Sequence, residues 1–317
     1  MAITISQLAT VTREHYRPKL VDQVFKSNPV WERMKKQNRV SIRGGRLIRF
    51  PISYASTTAV TAFEGAEILP TNPNDQLTQG EINWREYAAT VALNQRDLDL
   101  NDGEEELLDF MEAKMNLAKK SLADTLGTDT FGDGGSKTLD GLETFVLSAP
   151  TYAGIASTDV SDWAAKVRTL TTAGTITLFE IQKLIGATTD GTDRPTLMVT
   201  RQTVFDKVWA LLQADQRFAP MKDGAAGFET LHISGVPLMV DVHVTGSDGG
   251  SQTNHLYCLN ENYLHLAMHP KGNFEIEAIP NLKDQRVKMM RIYFMGNLYC
   301  DKLRVQGAIK TIDPDLG

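Results

Sequence analysis

Cysteine is almost absent: the 317 residues hold two, Cys258 and Cys300. Both sit in apolar settings, LYCLN and LYCDK, with no neighbouring spacing that suits a metal or redox motif, so both read as buried free thiols. Long hydrophobic runs are missing too. None reaches the roughly 18 residues needed to cross a bilayer, and MAITISQLATVTREHY lacks a basic region followed by a hydrophobic core. No membrane is expected among the partners, and the chain is expected to stay in the cytosol where it is made. Between Lys36 and Lys114 there is no lysine at all.

Catalytic signatures are equally scarce. No G-x-S-x-G elbow occurs. GGSKT invites comparison with a phosphate-binding loop, but Ser136 stands where that loop needs glycine, and the segment follows a helical pattern instead of a strand. His265 and His269 have the spacing of a zinc-protease helix, yet HLAMH lacks the glutamate, reads as strand and runs into Pro270. Asp241 and His243 alternate on a strand pattern without a third member. The acids of DLDLNDGEEE lack the alternating ligands and sixth-position glycine of a calcium loop. No catalytic residue, metal or cofactor is expected, and by elimination the chain works by contact.

What the sequence does contain is organisation. The net charge of −6 is uneven: residues 1–50 carry eleven Lys or Arg against three acids, leaving that segment at +8 and the remainder at −14. Such an arm suits nucleic acid or an acidic partner surface, and equally a merely solvated arm. SNPVWERMKK then reads as a short helix with Pro29 near its start and Val30, Trp31 and Met34 on one side.

RLIRFPISY and YAATVAL are strand patterns that could form a hairpin, with Pro51 arguing for an edge. The stretch between them, residues 55–81, has few large apolar residues. A structureless connection of that length is normally functional or disordered, and its Phe63, Ile68 and Leu69 need a partner to cover them. Another copy of the same chain is the simplest one.

NDGEEELLDFMEAKMNLAKKSLADTLGTDTFGDGG predicts one long helix. Asp102 caps it, Glu104–Glu106 place negative charge at its positive end, and Gly127 is a plausible stop about 35 Å along. Leu108, Met111, Met115, Ala118 and Leu122 recur at three and four, as in a coiled coil. Leu107, Phe110, Leu117 and Leu126 widen that stripe to half the circumference, which favours packing on a sheet. From 150 to 245 helices and strands alternate, with a capping box at Thr177 and Glu180. From 255 onward the chain is nearly all strand, the pattern of an antiparallel sheet.

This order of parts resembles the major capsid protein of tailed bacteriophages, the Hong Kong 97 fold, from about Ser27 to Ile312. The most telling stretches are RGGRLIRFPISYAS, the long-helix segment, and TLHISGVPLMVDVHV followed by the all-strand end. The resemblance implies an α+β, HK97-like capsid fold. Its parts would be an N-terminal arm (1–36), an extended E-loop hairpin (37–100), the spine helix and turn of the P-domain (101–149), an α/β A-domain (150–250), and antiparallel strands returning to both domains (251–317).

It further implies pentamers and hexamers of this chain closing an icosahedral shell around double-stranded DNA, in a virion assembled in host cytoplasm. Phe63, Glu64, Ile68, Leu69, Trp31, Arg46 and Arg49 are the expected intersubunit contacts. Arg13, Arg17 and Lys19 are the expected inner-face basic arm. Strand-like sequence from about residue 40 argues against a cleavable internal scaffold, so a separate scaffolding protein is expected if one is used, alongside portal and decoration or cement proteins. The lysine gap excludes the family's loop-lysine isopeptide crosslink. An encapsulin-type compartment shell is the alternative within the fold, and a small-molecule enzyme on residues 150–245 the alternative outside it.

Overall fold

A computed structural model describes residues 24–53, 62–67, 77–94, 104–147, 151–160, 162–170, 174–214, 230–246, 254–279 and 287–313. The expected basic-arm residues Arg13, Arg17 and Lys19, the loop residues Ile68 and Leu69, and the capping Asp102 lie outside them.

The first sheet is organised on β14 (Val287–Cys300), whose Met290, Ile292 and Phe294 all point into the core. Along one flank it pairs antiparallel with the whole of β4 (Arg85–Asn94). Along the other it takes two short strands end to end, β12 (Leu264–Met268) and then β13 (Glu275–Ile279). The turn His269–Asn273 between those two therefore steps along one strand and closes no hairpin. β1 (Val40–Ile42) extends the sheet parallel to β12.

The expected hairpin is corrected here. β2 (Ile48–Ser53) pairs with β3 (Leu77–Ile82), and YAATVAL lies in β4, a different sheet. The physical reason is burial: β14 offers YAATVAL a large apolar face. β3 turns only Gly80 and Ile82 inward, so LTQGEI hardly registers as a strand. Gly80 is required there, because a Cβ would sit 2.8 Å from the Phe50 ring.

Two helices cover the inner face of the first sheet. α1 (Pro29–Lys36) buries Val30, Trp31 and Met34, and α2 (Glu104–Phe131) packs on β4. At 28 residues α2 is about 42 Å long, and it buries Met115, Leu122, Ala123, Leu126 and Phe131. Leu117, expected in the apolar stripe, is instead 63% exposed. Gly127 does not end the helix. It is a contact point: a Cβ would lie 2.4 Å from Asn28 Oδ1 and 2.8 Å from the His243 ring.

The second sheet runs β7 (Lys166–Thr169), β15 (Gly307–Ile312), β11 (Asn254–Leu259), β8 (Leu197–Thr200), β10 (Val236–Val240), β9 (Thr230–Ile233). Its β7/β15 and β8/β10 pairs are parallel and the rest antiparallel. α3 (Leu178–Thr188) and α4 (Gln202–Ala214) share one apolar cluster with one face of this sheet, while its other face joins the main core through Val199, Tyr257 and Phe131. Thr177 Oγ accepts from the Glu180 amide at 3.2 Å, capping α3 as expected. A small separate pair, β5 (Thr151–Tyr152) and β6 (Ile155–Ala156), follows the glycine-rich turn.

The chain passes between the sheets at Asn260–Glu261 and again at Asp301–Gln306. A reciprocal amide pair ties the crossings together: the Asn260 N–H donates to Gln306 Oε1 (2.9 Å), and Gln306 Nε2 donates to the Asn260 carbonyl (3.0 Å). Beside it, Arg33 of α1 forks onto the buried Glu261 carboxylate at 2.7 and 2.9 Å. Gln37 and Thr196 each donate to it at 2.9 Å. This bidentate, multiply donated ion pair fixes α1 to the junction of the two sheets.

Candidate assembly surface

The residues with chemical potential come out scattered. His265 lies on β12, 3.3 Å from Asp301 and stacked on Tyr299 at 5.0 Å, whereas His269 caps the next turn and meets the edge of Trp84. Asp241 and His243 follow the end of β10 in a turn, not on the strand their alternation suggested, because the Asp241 carboxylate accepts the His243 backbone N–H at 3.0 Å and bends the chain there. There His243 Nδ1 lies 2.9 Å from buried Asp241, and its Nε2 is 3.9 Å from Asp124 of α2. These carboxylates, Asp241 foremost, hold the imidazole above its ordinary pKa. The unit joins the long helix to the second sheet.

Cys258 and Cys300 are both free and buried, and burial pushes the Cys258 thiol up to about 12. Among the described residues no group of three His, Cys, Asp or Glu side chains is placed to hold a metal. The glycine-rich turn is structural: Arg85 forks onto Asp140 (2.8 Å) and the Ser136 carbonyl, and buried Asn297 exchanges two hydrogen bonds with Asp140.

The hairpin of β2 and β3 is the element that stands apart. Its inner face, Ile48, Phe50, Ile52 and Ile82, is rooted in the core, with Phe50 stacked on Tyr299 at 4.8 Å. Its outer face, Arg49, Pro51, Ser53, Leu77, Gln79 and Glu81, is exposed. Among the described residues this sheet has two strands, and the Glu81 N–H of β3 donates outside it to the Ala153 carbonyl at 3.2 Å. Arg49 and Glu81 meet across it at 3.0 Å, an open pair worth at most about 1 kcal/mol. Beyond the paired strands, residues 62–67 are all exposed, Phe63 by 61%.

At the hairpin base lies a groove of about 710 Å³ lined by Arg43–Arg49, Asn83 and Trp84. The Trp84 indole donates to the Gly45 carbonyl at 2.9 Å, and the Arg43 guanidinium lies 5.9 Å from the Tyr299 ring. Of the expected contact residues, Arg46 and Arg49 share this groove, while Phe63 and Glu64 sit on the exposed turn. Trp31 is a correction. It is fully buried in its own subunit, donating from Nε1 to Thr130 Oγ1 at 2.8 Å and lying 5.8 Å from Phe294, because α1 packs inward on α2 and β14. Trp84, Arg43 and Leu77 also belong to the surface. The RGGR stretch at residues 43–46 is the available signal for Arg43.

Comparison with known proteins settles the fold. No family model matches the sequence, and no curated protein does. Solved structures do. The capsid of a native GTA particle superposes with a TM-score of 0.64 at 14% identity, over 88% of this chain and 90% of that one. An encapsulin complex from Synechococcus elongatus PCC 7942 gives 0.63 at 11% identity, over 100% and 98%. The capsid of cyanophage A-1(L) gives 0.60 at 13%, over 87% and 90%. The chain has the Hong Kong 97-type fold.

Proposed function

We propose that this chain is a shell subunit: copies of it assemble as pentamers and hexamers into the icosahedral head of a tailed phage, around double-stranded DNA. The observation that supports this best is that the likeness to shell proteins runs over nearly the full length of both chains. The hairpin fits the same reading. A subunit that must cover neighbours gains contact area from a projecting arm without enlarging its core, and this arm carries exposed Phe63, Leu77 and Pro51. Function then lies in contact and not in a reaction, in a virion assembled in host cytoplasm.

The basic arm residues Arg13, Arg17 and Lys19 are proposed to face the interior, where they offset DNA phosphate or a neighbour's acidic surface. Scaffolding, portal and decoration proteins are the expected accessory partners. A second reading, an encapsulin-type compartment, is favoured by the end-to-end match to the Synechococcus shell. The contents of purified particles separate the two: nuclease-resistant double-stranded DNA supports the phage head, and a co-purifying enzyme held inside supports the compartment. A chain that sediments only as a monomer in every buffer contradicts both.

A further inference from the structure

The turn that follows β10 reaches across to the long helix α2 with two side chains of different chemistry. Asp241 fixes the turn to the second sheet: its amide donates to the Thr200 carbonyl at 3.0 Å, and its carboxylate is buried. Thr245 Oγ1 donates to the Phe131 carbonyl of α2 at 3.1 Å, a contact between neutral groups. His243 is the other, and its ring lies so close to Gly127 that a Cβ there would stand 2.8 Å from it. The charged groups facing the ring are two carboxylates from two elements: Asp241 Oδ1, 2.9 Å from Nδ1, and Asp124 Oδ1 of α2, 3.9 Å from Nε2. From the residue before α1, the side chain against the same glycine is Asn28, which is neutral.

Asp241 decides which nitrogen keeps a hydrogen. It is the nearer and more buried carboxylate, so the neutral imidazole carries its hydrogen on Nδ1 and turns a bare Nε2 lone pair toward Asp124. A second proton converts that lone pair into an N–H sharing a positive charge, and the approach to Asp124 changes from repulsive to attractive. Val242, between Asp241 and His243 in sequence, is 72% exposed, and His243 keeps 16% of its side chain open, so protons from water reach the ring. We propose that the Asp241–Thr245 turn is a proton-operated clasp between the long helix and the second sheet, closed while His243 is charged and slackened once it is neutral. The clasp belongs to the single subunit and does not depend on the shell reading. Because α2 also packs on β4 of the first sheet, the proton sets how firmly the two sheets are held together. Asp124 is 57% exposed, and water and salt screen the pair, so the charged contact changes the folding equilibrium by about two- to fivefold.

A double-mutant cycle tests it. Urea unfolding of the dissociated subunit is compared for wild type, Asp124→Asn, His243→Gln and the double variant, at about pH 5.5 and about pH 8.5, on either side of the ordinary histidine range. His243 and Asp124 should couple by about two- to fivefold at the acid pH and show no coupling at the alkaline one. Equal coupling at both, or none at the acid pH, overturns the clasp.

A second readout needs no unfolding. Titration of the His243 ring by NMR should show its midpoint move down in Asp124→Asn, which removes the facing charge, and stay in place in Thr245→Val, which removes only the neutral contact. A midpoint that does not move in Asp124→Asn, or that moves equally in Thr245→Val, overturns the proposal.

Discussion

At the scale of single residues, two glycines in helices make opposite predictions. Gly127 sits in the interior of α2 under Asn28 and His243. Gly127→Ala gains about 1 kcal/mol of helix propensity but overpacks a contact by more, so we expect a net loss of about 1–2 kcal/mol in urea unfolding. Gly186 in α3 has empty space where a Cβ would go, and Gly186→Ala should stabilise by about 0.5–1 kcal/mol. Sequence reading took Gly127 for a helix stop because glycine is the commonest one. Nothing local distinguishes a stop from a glycine required by a histidine more than a hundred residues away.

The buried ion pair is similarly invisible in sequence. Arg33→Met should cost about 3 kcal/mol, since it strips the main counter-charge from Glu261 while Gln37 and Thr196 still donate to it.

His243 gives a pH signature. Its pKa is raised above the ordinary 6.5 in the folded state, chiefly by hydrogen bonding to Asp241, so its contribution is fully present below 6.5. That contribution is lost as pH rises through the folded value. Burial lowers His255, which works the other way: the unfolded chain takes up a proton that the folded chain resists, and stability falls as pH drops below 6.5. The stability gap between wild type and His243→Gln should therefore be widest at acidic pH and shrink above neutrality. Chemical denaturation across a pH series checks this, and a gap that widens with rising pH contradicts it.

Among whole elements, the long helix was legible because a long run of helix-forming residues begins with three acids, and the first hairpin strand because buried and exposed positions alternate along it. β3 was not, because a strand whose inward positions are glycine and a single isoleucine carries almost no period. The partner of β4 was equally hidden, since pairing with β14 is decided about two hundred residues downstream. Trp31 misled for a different reason: a large aromatic on a short amphipathic helix near a basic arm looks like an interface anchor, and only packing against Thr130 and Phe294 shows it to be core.

The hairpin nonetheless allows a clean test, because Ser53 and Leu77 are directly paired at its open end. Replacing residues 54–76 with Asn-Gly, a two-residue turn suited to close such a pair, should leave the thermal midpoint of the subunit within about 3 °C of wild type and block assembly. A truncated chain that builds shells of normal stability would show that the projecting loop is dispensable.

For the molecule as a whole, two sheets are locked at a junction by Asn260, Gln306 and the Arg33–Glu261 fork, while one hairpin carries exposed apolar edges outward. Rigidity inside and an exposed hairpin are the two properties that the proposed shell role calls for. The order of its parts was readable from sequence because each part has its own composition: basic arm, polar loop, long amphipathic helix, alternating α/β stretch, strand-rich end. Which surfaces meet was not readable, because it depends on distances across the fold.

Electron microscopy of the purified chain tests the central claim most directly. The account predicts closed shells, or rings of five and six subunits that close on raising concentration or adding a scaffolding partner. A population that stays monomeric under all of these conditions would contradict it.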